Sequence, residues 1–343
     1  MKARERRYCR LGVMMSRFLT VGAAQMGPIQ RSHSRHDVVE RLIAHLREAH
    51  RMGCDLVVFP ELTLTTFFPR WWMADQAEID SFFEREMPSN ETAPLFNEAK
   101  RLKIGFSLGY AELTQEDGRL RRFNTAILVE RDGRIVSRYR KVHLPGHSEH
   151  EPHRPFQHLE KRYFEVGNLN FPVVKAFGGN MGMCICNDRR WPETYRIMGL
   201  QNVEMVMLGY NTPIHNAPAP DHDEHSWFHN QLSMQAGACQ NGTWVIGVAK
   251  GGTEEGVPSL ADSMIIAPSG KVVARAGGSD DDEPAADRAI ADRTLQLPDL
   301  FVAGSSVAPS WSKLSCHQWK ANSGRPAQET RKNHLGLLWH VEN

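Results

Sequence analysis

An α/β fold organised as one catalytic domain is what the sequence predicts, on three observations. From Phe18 onward, short apolar runs alternate with amphipathic stretches. The first alternation is a complete strand, helix and strand. The 343 residues are 41% hydrophobic and 24% charged, with a mean hydropathy of −0.45. That is enough apolar material for one large core, and no linker divides it.

Taken in order, FLTVGAAQ (18–25) reads as a strand. Val38, Val39, Leu42, Ile43, Leu46 and Ala49 then recur at helical spacing until Gly53 closes the helix. DLVVFPE (55–61) is a buried strand, residues 78–87 and 91–103 carry helical patterns, and IGFSLGYAEL (104–113) is strand-like. Asp132-Gly133 is a hairpin-turn signal between two further β segments. In the second half FPVVKAF (171–177), MGMCIC (181–186), VEMVMLGY (203–210) and TWVIGVAK (243–250) read as strands, with helices over 192–201 and 223–241. SMIIAPSGKVVARAG (263–277) reads as a hairpin around Ser269-Gly270.

After residue 279 an acidic break, DDDEP, leads into Gly, Ser and Pro with weak periodicity. Residues 280–343 therefore read as a divergent C-terminal tail, and the basic segment 1–17 as a disordered extension. Its apolar piece, Leu11 to Met15, is too short for a signal-peptide core. The catalytic domain is thus expected over 18–279.

Lys and Arg number 41 against 40 Asp and Glu, so no global field recruits nucleic acid or an anionic membrane. No apolar run approaches the roughly 18–20 residues of a membrane span. The six cysteines are dispersed, which fits reduced thiols and a cytoplasmic setting. A small molecule is the expected partner.

Three segments carry chemistry. Cys186-Asn187-Asp188-Arg189-Arg190-Trp191-Pro192-Glu193 follows an apolar strand and enters a helix opened by proline, where a nucleophile can project beside free backbone N–H groups. Two consecutive arginines there are hard to bury without an anionic ligand or partners to neutralise them. Cys184, two residues earlier, reads as core. Phe59-Pro60-Glu61-Leu62 puts a carboxylate at the end of an apolar strand, where desolvation would raise its pKa toward that of a general base. Tyr139-Arg140-Lys141-Val142-His143 ends another strand with an ammonium suited to a developing oxyanion. Alone, Glu61 could be a solvated cap and Lys141 a surface cation.

Together and in this order, FPEL, YRKVHLPG and CNDRRWPE resemble the signature segments of the nitrilase superfamily. The resemblance implies Cys186 as nucleophile, Glu61 as base, Lys141 as oxyanion stabiliser and Glu160 as a second glutamate near the site. TTFFPRW (65–71), RRFNTAILV (121–129), RPFQHLEKRYFE (154–165), GYNTP (209–213) and LSMQAGA (232–238) are similar to the branch that hydrolyses N-carbamoyl-D-amino acids. This similarity runs from about Phe18 to Gly277. It implies a four-layer α-β-β-α sandwich, assembly as a homodimer or homotetramer, and cleavage to the D-amino acid, ammonia and carbon dioxide through a cysteine thioester, with no cofactor. The substrate carboxylate suits Arg189 and Arg190, either of which could instead be a structural salt-bridge partner. The resemblance adds Asn187, His143, Asn211 and Thr212 as hydrogen-bonding support.

Histidines 143, 147, 150, 153 and 158 match no zinc spacing, and Glu224 precedes rather than interrupts His225-x-x-x-His229, so no metal is expected. There is no Walker loop, no G-x-G-x-x-G after a strand and no G-x-S-x-G. Two alternatives stay open. One is a sister activity, as an aliphatic amidase, nitrilase or β-ureidopropionase; the other is an impaired relative that only binds, against which all three triad positions are filled.

Overall fold

The computed structural model describes residues 17–154, 156–216, 219–276 and 289–297. Its first half runs β1 (Arg17–Gln25), α1 (Arg35–Arg51), β2 (Leu56–Val58), α2 (Gln76–Asp80), α3 (Ala93–Leu102), β3 (Gly105–Glu116), β4 (Arg119–Val129), β5 (Ile135–Arg140) and α4 (Glu160–Tyr163). The second half adds β6 (Val173–Ala176), β7 (Gly179–Ile185), α5 (Pro192–Leu200), β8 (Met205–Tyr210), α6 (Ser226–Asn241) and β9 (Trp244–Ala249). It continues with the short pair β10 (Thr253–Glu254) and β11 (Val257–Pro258), then β12 (Met264–Ile266), β13 (Val272–Arg275) and β14 (Ala289–Leu297).

α1 forms where the sequence predicts a helix. Ser34 Oγ accepts the Asp37 N–H while the Asp37 carboxylate accepts the Ser34 N–H, closing a capping box. Its buried stripe is Val38, Val39, Leu42, Ile43, Leu46 and Ala49.

The strands form two six-stranded mixed sheets, ordered β14-β1-β2-β3-β4-β5 and β13-β12-β9-β8-β7-β6. β1, β2 and β3 pair in parallel in one, and β7, β8 and β9 in the other. Between the sheets, Leu19, Val21, Leu56 and Val58 share a core with Met183, Met207 and Val248. Alternation across the pleat then makes the outer layers. Ser107 of β3 donates to Met183 Sδ at 3.7 Å from across the core, whereas the adjacent Gly182 lies under Met198 of α5. α5 and α6 thus cover one outer face, and α1 and α3 pack on Val57, Phe59 and Phe106 of the other. The result is the four-layer α-β-β-α sandwich.

Two elements depart from the sequence reading. The helix expected over 78–87 ends at Asp80. Beyond it Glu84 exchanges backbone hydrogen bonds with Ala111 and Leu113 of β3, and Phe82 and Phe83 pack on Phe68. Tertiary pairing and an aromatic cluster override the local pattern. At the other end, β14 pairs antiparallel with β1 from Arg17↔Leu297 to Gln25↔Ala289, so the sheet extends past the boundary expected at 279. The ladder comes from the opposite end of the chain, and no local periodicity announces it. Residues 1–16 and 298–343, and with them most of the expected extension and tail, lie outside the described residues. No described helix is long and apolar enough to cross a membrane.

The sheets approach closely where β2 ends. A Cβ on Gly109 of β3 would sit 2.8 Å from Pro60 O, and one on Gly209 of β8 would sit 2.6 Å from Glu61 N. Glycine at both positions lets the Pro60-Glu61 backbone pass between the sheets. Gly209→Ala is therefore expected to cost at least about 1–3 kcal/mol of stability and to displace Glu61, read as a lower urea midpoint together with lost turnover. A variant with wild-type midpoint and activity would contradict this contact.

Candidate active site

Parallel strands of both sheets end at one place. Glu61 lies just past β2, Lys141 directly after β5, Cys186 directly after β7, and Asn211 and Thr212 directly after β8. Glu160 arrives as the first residue of α4.

Glu61, Lys141 and Glu160 are each 0% exposed. Lys141 Nζ donates to Glu61 Oε1 at 2.7 Å and to Glu160 Oε2 at 2.6 Å. Asn124 Nδ2 also donates to Glu61 Oε1 at 2.7 Å, and the Asn211 N–H donates to Glu61 Oε2 at 3.0 Å. His158 Nε2 lies 3.2 Å from Glu160 Oε1. Buried charges persist only when paired and hydrogen-bonded, and here each has at least two partners.

Cys186 does not complete the strand expected over 181–186. It opens a 3-10 turn, Cys186–Arg190, with φ +48°. Such a conformation in a non-glycine residue re-aims the side chain and is found at functional sites. Asp188, 0% exposed, holds the turn by accepting the Ile185 N–H at 2.9 Å, the Tyr139 hydroxyl at 2.7 Å and the His143 N–H at 2.9 Å. Arg189 braces it from the far side, donating to the Cys186 carbonyl at 2.7 Å, Asn230 Oδ1 at 3.0 Å and Thr212 Oγ1 at 2.9 Å while lying over the Tyr210 ring. The first N–H groups of the turn have no acceptor within it.

Protonation follows from this packing. Burial pushes the Cys186 thiol up, and Glu61 adds to the rise against the pull of Lys141 and Arg189. Burial likewise raises the Glu61 carboxyl, with Lys141 opposing and Glu160 reinforcing. For Glu160 burial acts upward too, but Lys141 and His158 outweigh it and hold the group below the usual carboxylate range. Burial alone would depress Lys141, yet Cys186, Glu160 and Glu61 together raise it. The site therefore holds a neutral thiol, a fixed ammonium, a fixed carboxylate and a second carboxyl whose proton affinity is increased.

A cavity of about 470 Å³ opens onto Cys186. Asn187, Arg189, Arg190, Asn211 and Thr212 line it; His143 does not, its Nδ1 lying 2.8 Å from Asp188 Oδ1 and its ring stacked on Trp191. Four arginines (70, 154, 189 and 190) and five histidines (147, 158, 215, 222 and 229) face the cavity, with no Asp or Glu among the lining residues. Arg70 is paired with Glu254 and Arg154 with Glu151. Arg190 is exposed and has no hydrogen-bond or ion-pair partner among the described residues. Desolvation and the Arg189 charge lower its pKa to about 10, which still leaves it cationic at neutral pH. Among the described residues no three His, Cys, Asp or Glu side chains are arranged to hold a metal ion.

Sequence reasoning missed Asn124, Asp188 and the buried group of Lys250, Glu254 and Arg70. Glu254 accepts Lys250 Nζ at 2.8 Å, Arg70 Nη1 at 3.0 Å, the Phe67 N–H at 2.7 Å and the Ile29 N–H at 3.0 Å, pinning the cavity wall at Phe67 and Arg70. Apart from Lys250, four residues before Glu254, these partners are remote in sequence, whereas Asp188 lies inside the cysteine segment.

The family model described as carbon-nitrogen hydrolase matches residues 20–297. An N-carbamoylputrescine amidase of Oryza sativa subsp. japonica is 29% identical over 275 residues, covering 77% of this chain and 83% of the relative. The fold matches a carbon-nitrogen hydrolase from Helicobacter pylori G27 with a TM-score of 0.66 at 19% identity, covering 90% of this chain and 95% of that one. It also matches, at a TM-score of 0.59 and 16% identity over 90% and 99% of the two chains, a mutant amidase from Nesterenkonia sp. AN1. That structure shows the acetamide moiety of fluoroacetamide covalently added at the active-site cysteine.

Lys141→Met would leave Glu61 and Glu160 facing each other without a counter-charge, a loss of about 3–5 kcal/mol at neutral pH. Both carboxyls would then titrate above their unfolded values, so the variant should recover stability relative to wild type as pH falls through that range. Urea unfolding from pH 8 to pH 5 measures the difference; a gap constant with pH would contradict the arrangement.

Proposed function

The chain belongs to the carbon-nitrogen hydrolase family, and we propose that within it the substrate is an N-carbamoyl amino acid of D configuration. The observation that carries this reading is Arg190, an unpaired cation in a wall beside Cys186 that has no acidic lining residue. A substrate carboxylate would supply the missing partner, in a charge-assisted and potentially bidentate contact. N-carbamoylputrescine presents an ammonium instead, which this wall would repel. Preference for the D enantiomer is supported by the resemblance of the 65–71, 154–165 and 186–193 segments to that branch.

Catalysis begins with the thiol, because burial keeps Cys186 protonated. Glu61 takes the S–H proton and the sulfur attacks the carbamoyl carbon. Lys141 and a free N–H of the Cys186 turn meet the oxyanion. Glu160 balances the Lys141 charge, so Glu61 can be protonated without leaving Lys141 an unpaired buried cation. Glu61 then protonates the departing nitrogen and activates the water that cleaves the thioester, and the remaining carbamate falls apart to amine and carbon dioxide. Arg189, with most of its donors engaged, braces the nucleophile turn; Arg190 holds the carboxylate.

Ammonia release is measured from N-carbamoyl-D-phenylalanine, its L enantiomer, N-carbamoyl-β-alanine, N-carbamoylputrescine and a simple aliphatic amide, beside Cys186→Ala. D-selective release that vanishes in the variant is expected. Turnover of only the putrescine derivative or the amide would move the chain to a sister activity. Arg190→Ala should raise KM for the D substrate by at least about tenfold, the worth of one charged hydrogen bond; an unchanged KM would overturn its role.

A further inference from the structure

We propose that Asn124 is a positioning residue for the base: with Lys141 it fills Oε1 of Glu61 and so leaves Oε2 as the oxygen that exchanges the proton with Cys186. The inference rests on the reading of Glu61 as base. Asn124 Nδ2 and Lys141 Nζ both converge on Oε1 at 2.7 Å. A carboxylate oxygen offers about two lone-pair sites, so Oε1 is saturated. Oε2 accepts the Asn211 N–H at 3.0 Å and has no other donor among the described residues. In the first step the S–H bond breaks, its proton forms a bond to Oε2, the sulfur electron pair bonds to the carbonyl carbon, and the C=O π pair moves onto the oxygen as the oxyanion that Lys141 faces. The same oxygen later returns that proton to the departing nitrogen.

Asn124 also fixes the cation. Its backbone carbonyl accepts the Lys141 N–H at 2.8 Å, continuing the β4–β5 ladder past Thr125↔Arg140. One residue therefore sets the base through its side chain and the oxyanion stabiliser through its main chain. Asn124 is 0% exposed and its Oδ1 has no partner among the described residues. The amide orientation is set by Glu61, since turning it would point the Oδ1 oxygen at a carboxylate.

The other charged groups around Glu61 are Lys141 at the end of β5, Glu160 on α4 and Cys186 after β7, with Arg70 and Lys250 further off. Substituting Asn124 leaves all of them in place, so a shift in the titration of Glu61 reports the missing amide.

The test is the pH dependence of Cys186 alkylation by iodoacetamide in wild type, Asn124→Leu, Asn124→Ser and Glu61→Gln. It is followed on the Cys186 peptide by mass spectrometry, because Cys54, Cys184 and Cys239 are also free thiols. It needs no substrate, so it stands apart from the choice of carbamoyl compound. Loss of one charge-assisted hydrogen bond should move the acidic limb upward by about one pH unit in both Asn124 variants, and Glu61→Gln should abolish the limb. Asn124→Ser carries the test should the leucine variant not fold. An unmoved limb, whatever the fall in rate, would overturn the proposal if Glu61→Gln abolishes it. A limb that survives Glu61→Gln would instead overturn the reading of Glu61 as base, and this inference with it.

Discussion

A lysine with no access to solvent, bridging two carboxylates that have none either, is the constraint around which the rest of the molecule is arranged. Each of the three ions would cost several kcal/mol to bury alone. The Lys141 contacts of 2.6 and 2.7 Å make the group sustainable, and Asn124, Asn211 and His158 occupy further sites on the two carboxylates. Its composition is unequal in effect. One carboxylate is held ionised by the lysine and a histidine, and the other is pushed toward protonation by burial. That inequality suits a site in which one carboxyl must shuttle a proton while the ammonium stays fixed.

Such a group can exist only where two sheets bring strand ends together and exclude water. Glu61 belongs to one sheet and the Cys186 turn to the other, and the glycines of β3 and β8 let the Pro60-Glu61 backbone into the seam. The Cys186 turn is held by a second buried anion, Asp188, which ties it to Tyr139 and His143. Lys141 and Tyr139 stand at the end of the same strand, so β5 positions both the buried cation and a support of the Cys186 turn.

The cavity wall uses charge in two ways. Arg70 and Arg154 are neutralised by glutamates and shape the wall, whereas Arg190 keeps its charge for the cavity. Glu254 is central to the first use, gathering two buried cations and two backbone N–H groups from separate loops. Its short hairpin, β10 and β11, thereby ties the loops after β1 and β2 to the end of β9.

Strand and helix alternation, the α1 stripe and the order of the glutamate, lysine and cysteine segments were legible in the sequence because each is written in neighbouring residues. Periodicity reports which face of an element is buried, and a motif reports the chemistry its residues can do. Glu61, Lys141 and Cys186 could be named from those segments and Glu160 from the resemblance they carry, but their convergence could not be derived from periodicity. The departures share one cause: the partner lay far away in the chain. β14 exists by pairing with β1, residues 81–87 leave the helix to join β3, and Asn124 and Glu254 meet Glu61 and Arg70 across the fold. The different settings of Arg189 and Arg190 were likewise decided by tertiary structure. Of two adjacent, identical side chains, one is enclosed by Asn230, Thr212 and Tyr210 while the other faces a cavity, and enclosure is a property of packing rather than of sequence.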